Sequence, residues 1–109
     1  MEIKYKSSGE TLYALLSGEL DESTAEYVRL SLDTLLKDLS VNDKSLLVLD
    51  FKDVSFMDST GIGVLLGRYN KFAKNNIEMQ IRNATGHVDR ILKMTGIYEI
   101  MPKISWGEY

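Results

Sequence analysis

The stretch of the chain richest in reactive groups is SFMDSTGIG, residues 55–63. Its polar and small residues are Asp58, Ser59, Thr60, Gly61 and Gly63. A serine hydroxyl in such a place can attack a substrate beside a base or cap a helix. The two glycines open an apolar helical pattern, so the hydroxyls stand where a loop turns into a helix.

Three enzyme motifs can be compared with this stretch by spacing. Asp58-Ser59-Thr60-Gly61 has one residue more than the Asp-Ser/Thr-Gly triplet of aspartic peptidases, and it leads into a helix. The Asp-x-x-Gly of GTPases works with a phosphate-binding loop of the type G-x-x-x-x-G-K-[ST], which the sequence lacks. GIGVLLG misses the dinucleotide-binding fingerprint by one residue.

The histidine and cysteine counts narrow the chemistry further. His87 is the single histidine, and no Ser–His–Asp set can be recognised around it in the sequence. There are no cysteines, and one histidine alone cannot form a zinc site. His87 and Asp89 open a short helical pattern and are expected to be solvated. The sequence therefore predicts no catalytic residue, no metal and no cofactor.

Ser59 and the glycines each allow a structural interpretation beside a functional one. Ser59 can be the N-cap of the helix. A glycine inside a helix costs roughly 1 kcal/mol relative to alanine, so something should offset three of them. Gly67, one turn after Gly63, would allow close packing on a sheet, whereas Gly61 and Gly63 in an exposed first turn would allow a partner to approach.

Hydrophobic periodicity divides the chain into alternating strands and helices. Strands are predicted at 2–6, 11–20, 45–51, 77–82 and within 97–106, and helices at 21–40, 59–74 and 87–96. Ser23 and Glu26 have the spacing of a capping box, and Gly96 is expected to end the third helix. The order ββαβαβαβ predicts one α/β domain over 1–109, with a mixed sheet formed by an opening hairpin followed by parallel strands.

Topology predicts that two acidic loops meet. Loops that follow parallel strands gather at the carboxyl edge of the sheet. Residues 17–23 follow the second strand and residues 52–58 follow the third, so one end of the molecule should carry Glu19, Asp21, Asp53 and Asp58.

Composition excludes several classes of protein. A net charge of -3 argues against non-specific nucleic-acid binding, which needs a basic face. No apolar run approaches the ~18 residues of a membrane helix, and the N-terminal residues lack the apolar segment of a signal peptide. These features predict a soluble cytoplasmic protein without membrane or nucleic-acid partners.

Three segments together resemble a known family. They are GELDESTAE at 18–26, SFMDSTGIGVLLGRY at 55–69 and MTGIYEIM at 94–101. With them the chain is similar to the anti-sigma factor antagonists of the STAS-domain family, most closely to those of the sporulation sigma-F system. The resemblance covers nearly the whole chain, and the long middle segment is highly specific.

The resemblance implies a regulatory binding domain that is not an enzyme. The unphosphorylated form would bind an anti-sigma factor, a serine kinase that itself carries the ATP, and so release the sigma factor. Phosphorylation of Ser59 would end binding, and a phosphatase would restore it. Asp21 would face the kinase, and Thr60 stands where some members have serine.

The expected partner-binding residues are Glu19, Asp21, Asp58, Thr60, Gly61 and Gly63. Two alternatives remain: an antagonist for a different, stress-related sigma factor, and a nucleotide-binding or hydrolytic domain that uses the 58–63 turn.

Overall fold

The computed structural model describes residues 1–39 and 43–106, which form a mixed sheet with helical crossovers. The strands are β1 (Glu2–Ser8), β2 (Thr11–Leu20), β3 (Leu46–Met57), β4 (Glu78–Arg82) and β5 (Lys103–Ile104). The helices are α1 (Ala25–Leu39), α2 (Ser59–Lys74), α3 (Gly86–Met94) and α4 (Ile97–Ile100). The strands lie in the order β1-β2-β3-β4-β5, with β1 antiparallel to β2 and the other pairs parallel. The predicted α/β class and opening hairpin are confirmed.

The core lies on one face of the sheet. In register, Leu12, Leu47 and Met79 form one row of side chains across β2, β3 and β4, and all three are buried. Helices α1 and α2 contribute buried side chains to the same cluster: Val28, Leu32, Val64, Leu65 and Phe72. Amphipathic helices with one apolar stripe bury it in this way. The predicted end of the first helix at Ser40 lies outside the described residues.

Strand β3 is longer than the sequence predicted. The apolar run ends at Phe51, but the strand continues to Met57 and stays paired with β2 up to Leu20↔Met57. Val54 and Met57 are buried in this extension while the residues between them are exposed. The predicted loop at 52–58 is therefore wrong, because a half-buried strand with irregular pairing looks like a polar loop in sequence.

The C-terminal region corrects the predicted element order. Gly96 has a left-handed backbone (φ 79°), and its N–H donates to Lys93 O, as expected where a helix ends. A second short helix, α4, follows where a strand was expected, giving ββαβαβααβ. Ile97 and Met101 are spaced one helical turn apart, and both are buried. Strand β5 is reduced to two residues.

Asp89 is not a solvated residue, contrary to expectation. Its carboxylate accepts hydrogen bonds from Tyr98 Oη at 2.7 Å and Lys103 Nζ at 3.0 Å. These donors, Tyr98 first, hold the pKa of Asp89 at about 2. Asp89 thus ties α3 to α4 and to β5.

Candidate functional site at the β2 and β3 ends

The site lies where two neighbouring parallel strands end together. Leu20 and Met57 are the last residues of β2 and β3 and face each other in register. Asp58 N donates to Leu20 O at 3.4 Å, so the chain is still held to its neighbour as it leaves the sheet. Asp21 and Asp58 are the next residues of the two strands, as the sequence predicted for this edge.

Asp58, rather than Ser59, caps helix α2. Asp58 has an extended backbone, and its Oδ1 accepts hydrogen bonds from Thr60 N at 3.0 Å and Gly61 N at 3.2 Å. An aspartate at this position satisfies first-turn amides and places a negative charge at the positive end of the helix dipole. The interpretation of Ser59 as the N-cap is therefore wrong.

Ser59 is left as an exposed first residue of α2. Among the described residues, its hydroxyl has no hydrogen-bond partner. Thr60, by contrast, is half-buried. Because Asp58 already performs the capping, the Ser59 hydroxyl is free for chemistry that leaves the helix intact.

The three glycines of α2 have different surroundings. A Cβ added at Gly61 would lie 2.7 Å from Leu20 O and 3.0 Å from Met57 Cγ. A Cβ at Gly63 or Gly67 would have no atom within 4 Å. Gly61 is buried, although the sequence analysis expected it to be exposed. Its lack of a Cβ lets the first turn of α2 pack against the ends of β2 and β3. The predicted packing of Gly67 on the sheet is wrong, because that side of the helix is open.

Asp21 organises the turn into α1. Its Oδ1 accepts from Ser23 Oγ at 2.7 Å and Ser23 N at 2.9 Å, and Thr24 Oγ1 donates to Glu19 O at 2.7 Å. The hydrogen bond from the Ser23 side chain is the main reason that the pKa of Asp21 is lowered. The carboxylate is therefore ionised at neutral pH.

The predicted capping box of Ser23 and Glu26 does not form. Glu26 forms an ion pair with Arg29 at 2.6 Å, while the Ser23 hydroxyl donates a hydrogen bond to Asp21. The helix begins at Ala25, after a turn in which Thr24 N and Ala25 N both donate to Asp21 O. Asp21 is a stronger hydrogen-bond acceptor in this turn than Ser23, the serine on which the predicted capping box depended.

The remaining acidic residues are on strands, not in loops. Glu19 lies opposite Phe56 in register, and Asp53 lies opposite Ser17. Both side chains are exposed. Acidic side chains therefore lie on strands β2 and β3 (Glu19 and Asp53) as well as directly after them (Asp21 and Asp58).

Sequence reasoning missed a buried ion pair and two aromatic contacts. Arg82 Nε lies 2.9 Å from Asp50 Oδ2, and the guanidinium stacks over the Tyr13 ring at 4.6 Å. Asp50 is next to last in the run predicted as a strand at 45–51, and Arg82 ends the strand predicted at 77–82, so two opposite charges at strand ends were a usable signal. The ring of His87 stacks on Phe56, next to the site, at a centroid distance of 5.5 Å. No sequence signal links those two residues.

Two kinds of feature are absent from the described parts of the chain. Within 1–39 and 43–106, no group of three or more histidine, aspartate and glutamate side chains is placed to hold a metal ion. In the same ranges, none of the helices has the length and apolarity needed to cross a bilayer.

Comparison with known proteins decides the family. The sequence pattern of the STAS domain matches residues 2–106. This chain belongs to the STAS-domain family. The resemblance seen in the sequence is thereby confirmed.

Relatives of this STAS domain include antagonists of two anti-sigma factors. The anti-sigma F factor antagonist of Paenibacillus polymyxa is 35% identical over 102 residues, which cover 94% of this chain and 85% of that protein. The anti-sigma-B factor antagonist of Bacillus subtilis is 27% identical over 101 residues, covering 93% of this chain and 88% of that protein.

A solved structure shares the fold of this STAS domain. It is the Bacillus cell fate determinant SpoIIAA in its phosphorylated form, with a TM-score of 0.68 and 23% identity. The alignment covers 95% of this chain and 92% of SpoIIAA. At this identity the likeness supports the architecture alone.

Proposed function

We propose that this protein is an anti-sigma factor antagonist controlled by phosphorylation of Ser59. In its unphosphorylated form it binds an anti-sigma factor that is also a serine kinase and carries the ATP, and the sigma factor is released. The observation that carries the proposal is the exposed Ser59 hydroxyl, free of hydrogen bonds among the described residues, at the start of α2. The names of the relatives support the same role.

The local structure allows Ser59 to be modified without unfolding the domain. Asp58 supplies the cap, so the serine hydroxyl contributes nothing to the helix that a phosphate would remove. A helix N-terminus also accepts negative charge, because its amide groups and dipole favour an anion. The phosphorylated protein should therefore keep its fold.

Charge explains how phosphorylation would end binding. A phosphoserine carries about -1.5 to -2 charges at neutral pH. Ser59 follows Asp58 directly, and Asp21 lies at the end of the neighbouring strand. A partner that accommodates these carboxylates around a neutral serine would meet an additional dianion in the same place. Repulsion and incomplete solvation then oppose the complex.

The proposed contact surface divides by exposure. Glu19, Ser59 and Gly63 are exposed, and Asp21 and Asp58 are half-buried, so these residues can meet a partner. Thr60 and Gly61 act by shaping the turn: Thr60 N donates to Asp58, and Gly61 is buried on the strand ends. We therefore propose direct contact for the first group and support for the second.

Sporulation is the setting that we propose first, because of the sigma-F relative at 35% identity. A stress sigma factor is the second candidate, supported by the sigma-B relative at 27% identity. In either setting a serine phosphatase would regenerate the active form, and the chain itself would be cytoplasmic and non-enzymatic. Titration of the isolated protein with nucleotides is then expected to show no tight binding.

The electrostatic switch can be tested with an isosteric pair of variants. Ser59→Asp introduces one negative charge and Ser59→Asn introduces nearly the same volume without charge. We expect Ser59→Asp to bind the anti-sigma factor at least tenfold more weakly than wild type, a loss of about 1.4 kcal/mol. Ser59→Asn should stay within about threefold, or ~0.7 kcal/mol.

Calorimetric titration against the purified anti-sigma factor measures these affinities, and circular dichroism checks the fold. If both variants bind as tightly as wild type, charge at residue 59 is not the switch. If both bind equally weakly, side-chain size and not charge is decisive.

Gly63 gives a second test of the contact surface. A Cβ at this exposed position would have no atom within 4 Å, so Gly63→Leu should leave the free energy of unfolding unchanged or slightly higher. It should nevertheless weaken binding of the anti-sigma factor at least tenfold, because the leucine would stand between the partner and the first turn. Lys74→Leu is the matched control, since it adds the same side chain to an exposed position at the far end of α2. Equal affinities for the two variants would place Gly63 outside the interface.

A further inference from the structure

The end of strand β3 has a neighbouring strand on one side only. Strand β4 pairs with β3 only as far as Asp50↔Arg82, whereas β3 continues to Met57 with β2 alone as its neighbour. At the last peptide, Asp58 N points to β2 and donates to Leu20 O. The peptide is trans, so the Met57 carbonyl points the opposite way, to the side that β4 has not reached.

His87 occupies that side. Its Nε2 lies 3.1 Å from Met57 O, and its ring stacks on Phe56 with an interplanar angle of 20°. Because a carbonyl oxygen can only accept, Nε2 must carry the hydrogen. Helix α3, which starts at Gly86, thus donates a hydrogen bond to the last carbonyl of β3 and covers the aromatic ring before it.

The Met57–Asp58 peptide is therefore held from both sides. Leu20 O accepts its N–H, and His87 donates to its carbonyl. The orientation of this peptide sets the direction in which the chain leaves the sheet. It also sets the position of the Asp58 carboxylate that caps α2, and Ser59 is the next residue.

We propose that His87 is a positioning residue for Ser59. Through the Met57 carbonyl and the stack on Phe56, it fixes the turn that presents the serine hydroxyl to the kinase. The inference rests on the proposed phosphorylation of Ser59. It adds that a residue of helix α3, outside the DSTG segment, is needed for efficient phosphorylation. The tautomer with hydrogen on Nε2 is part of the proposal.

Two substitutions separate the hydrogen bond from the stack. His87→Phe keeps an aromatic ring against Phe56 and removes the donor, and His87→Gln keeps an N–H donor and removes the ring. With the purified anti-sigma factor kinase and Mg-ATP, kcat/KM for Ser59 phosphorylation should fall about fivefold in His87→Phe, the factor for one hydrogen bond. His87→Gln should restore the rate to within about twofold of wild type.

The split between kcat and KM distinguishes positioning from simple stability. Misplacement of the hydroxyl should lower kcat, with KM changed by less than about twofold, in samples that circular dichroism shows to be folded. A purely structural role would lower the free energy of unfolding in both variants and leave kcat of the folded fraction unchanged. Equal kcat for wild type and His87→Phe would overturn the proposal.

A spectroscopic measurement tests the contact without the kinase. His87 is the single histidine, so its ring nitrogen and carbon resonances need no assignment. In the neutral ring we expect the tautomer with hydrogen on Nε2 to predominate, and an Nδ1–H ring would contradict the contact. If the kinase modifies wild type at Ser59 and His87→Phe equally well, only this inference fails. If it does not modify wild type at Ser59, the proposed function fails, and the tautomer still reports on the hydrogen bond.

Discussion

Gly61→Ala is expected to lower the free energy of unfolding by about 2 kcal/mol, whereas Gly67→Ala should raise it by up to ~1 kcal/mol. The same methyl group is added to the same helix in both cases. At Gly61 it would meet a backbone oxygen at 2.7 Å, and backbone atoms cannot move aside as a flexible side chain can. At Gly67 no atom lies within 4 Å, so the better helix propensity of alanine is gained in full.

Urea unfolding of the two variants and of wild type measures these differences in the free energy of unfolding. The slope of that free energy against urea concentration should be equal in all three proteins, which checks that the same transition is compared. Gly61→Ala should also weaken binding of the anti-sigma factor, because the turn that carries Ser59 must shift away from the strand ends. A Gly61→Ala variant as stable as wild type would contradict the close packing of this turn.

Local patterns in the sequence predicted the elements that have regular periodicity. Helix α2 begins and ends where predicted, at Ser59 and Lys74, and β2 spans its predicted residues. Strand β3 was predicted too short because its second half has buried residues at irregular intervals. The register shifts in its pairing with β2 cause that irregularity, and they depend on contact between two strands far apart in sequence.

The position of two acidic residues at one end of the sheet was predicted, but the local contacts of the residues around them were not. Topology alone placed Asp21 and Asp58 at one edge, because both follow parallel strands. Asp58 and Ser59 are both suitable N-cap residues, and a shift of one residue in the start of the helix decides which of them is the cap. The space around each glycine and the reach of His87 to Met57 are tertiary properties, and no local pattern encodes them.

Ser59→Ala is expected to abolish phosphorylation completely, while Thr60→Ala should be phosphorylated like wild type. The Ser59 side chain is exposed and has no hydrogen-bond partner in the described residues, so it can enter a kinase active site without breaking a contact. Thr60 is half-buried and its backbone is held by Asp58. Removing the exposed hydroxyl should change the free energy of unfolding by less than about 0.5 kcal/mol, so Ser59→Ala should still bind the anti-sigma factor.

Mass spectrometry after incubation with the anti-sigma factor kinase and ATP tests the central claim most directly. The account predicts a single added phosphate, located on Ser59 by fragmentation, in wild type and in Thr60→Ala, and none in Ser59→Ala. A phosphate that persists in Ser59→Ala and disappears in Thr60→Ala, or a wild-type protein that the kinase binds and leaves unmodified, would contradict it.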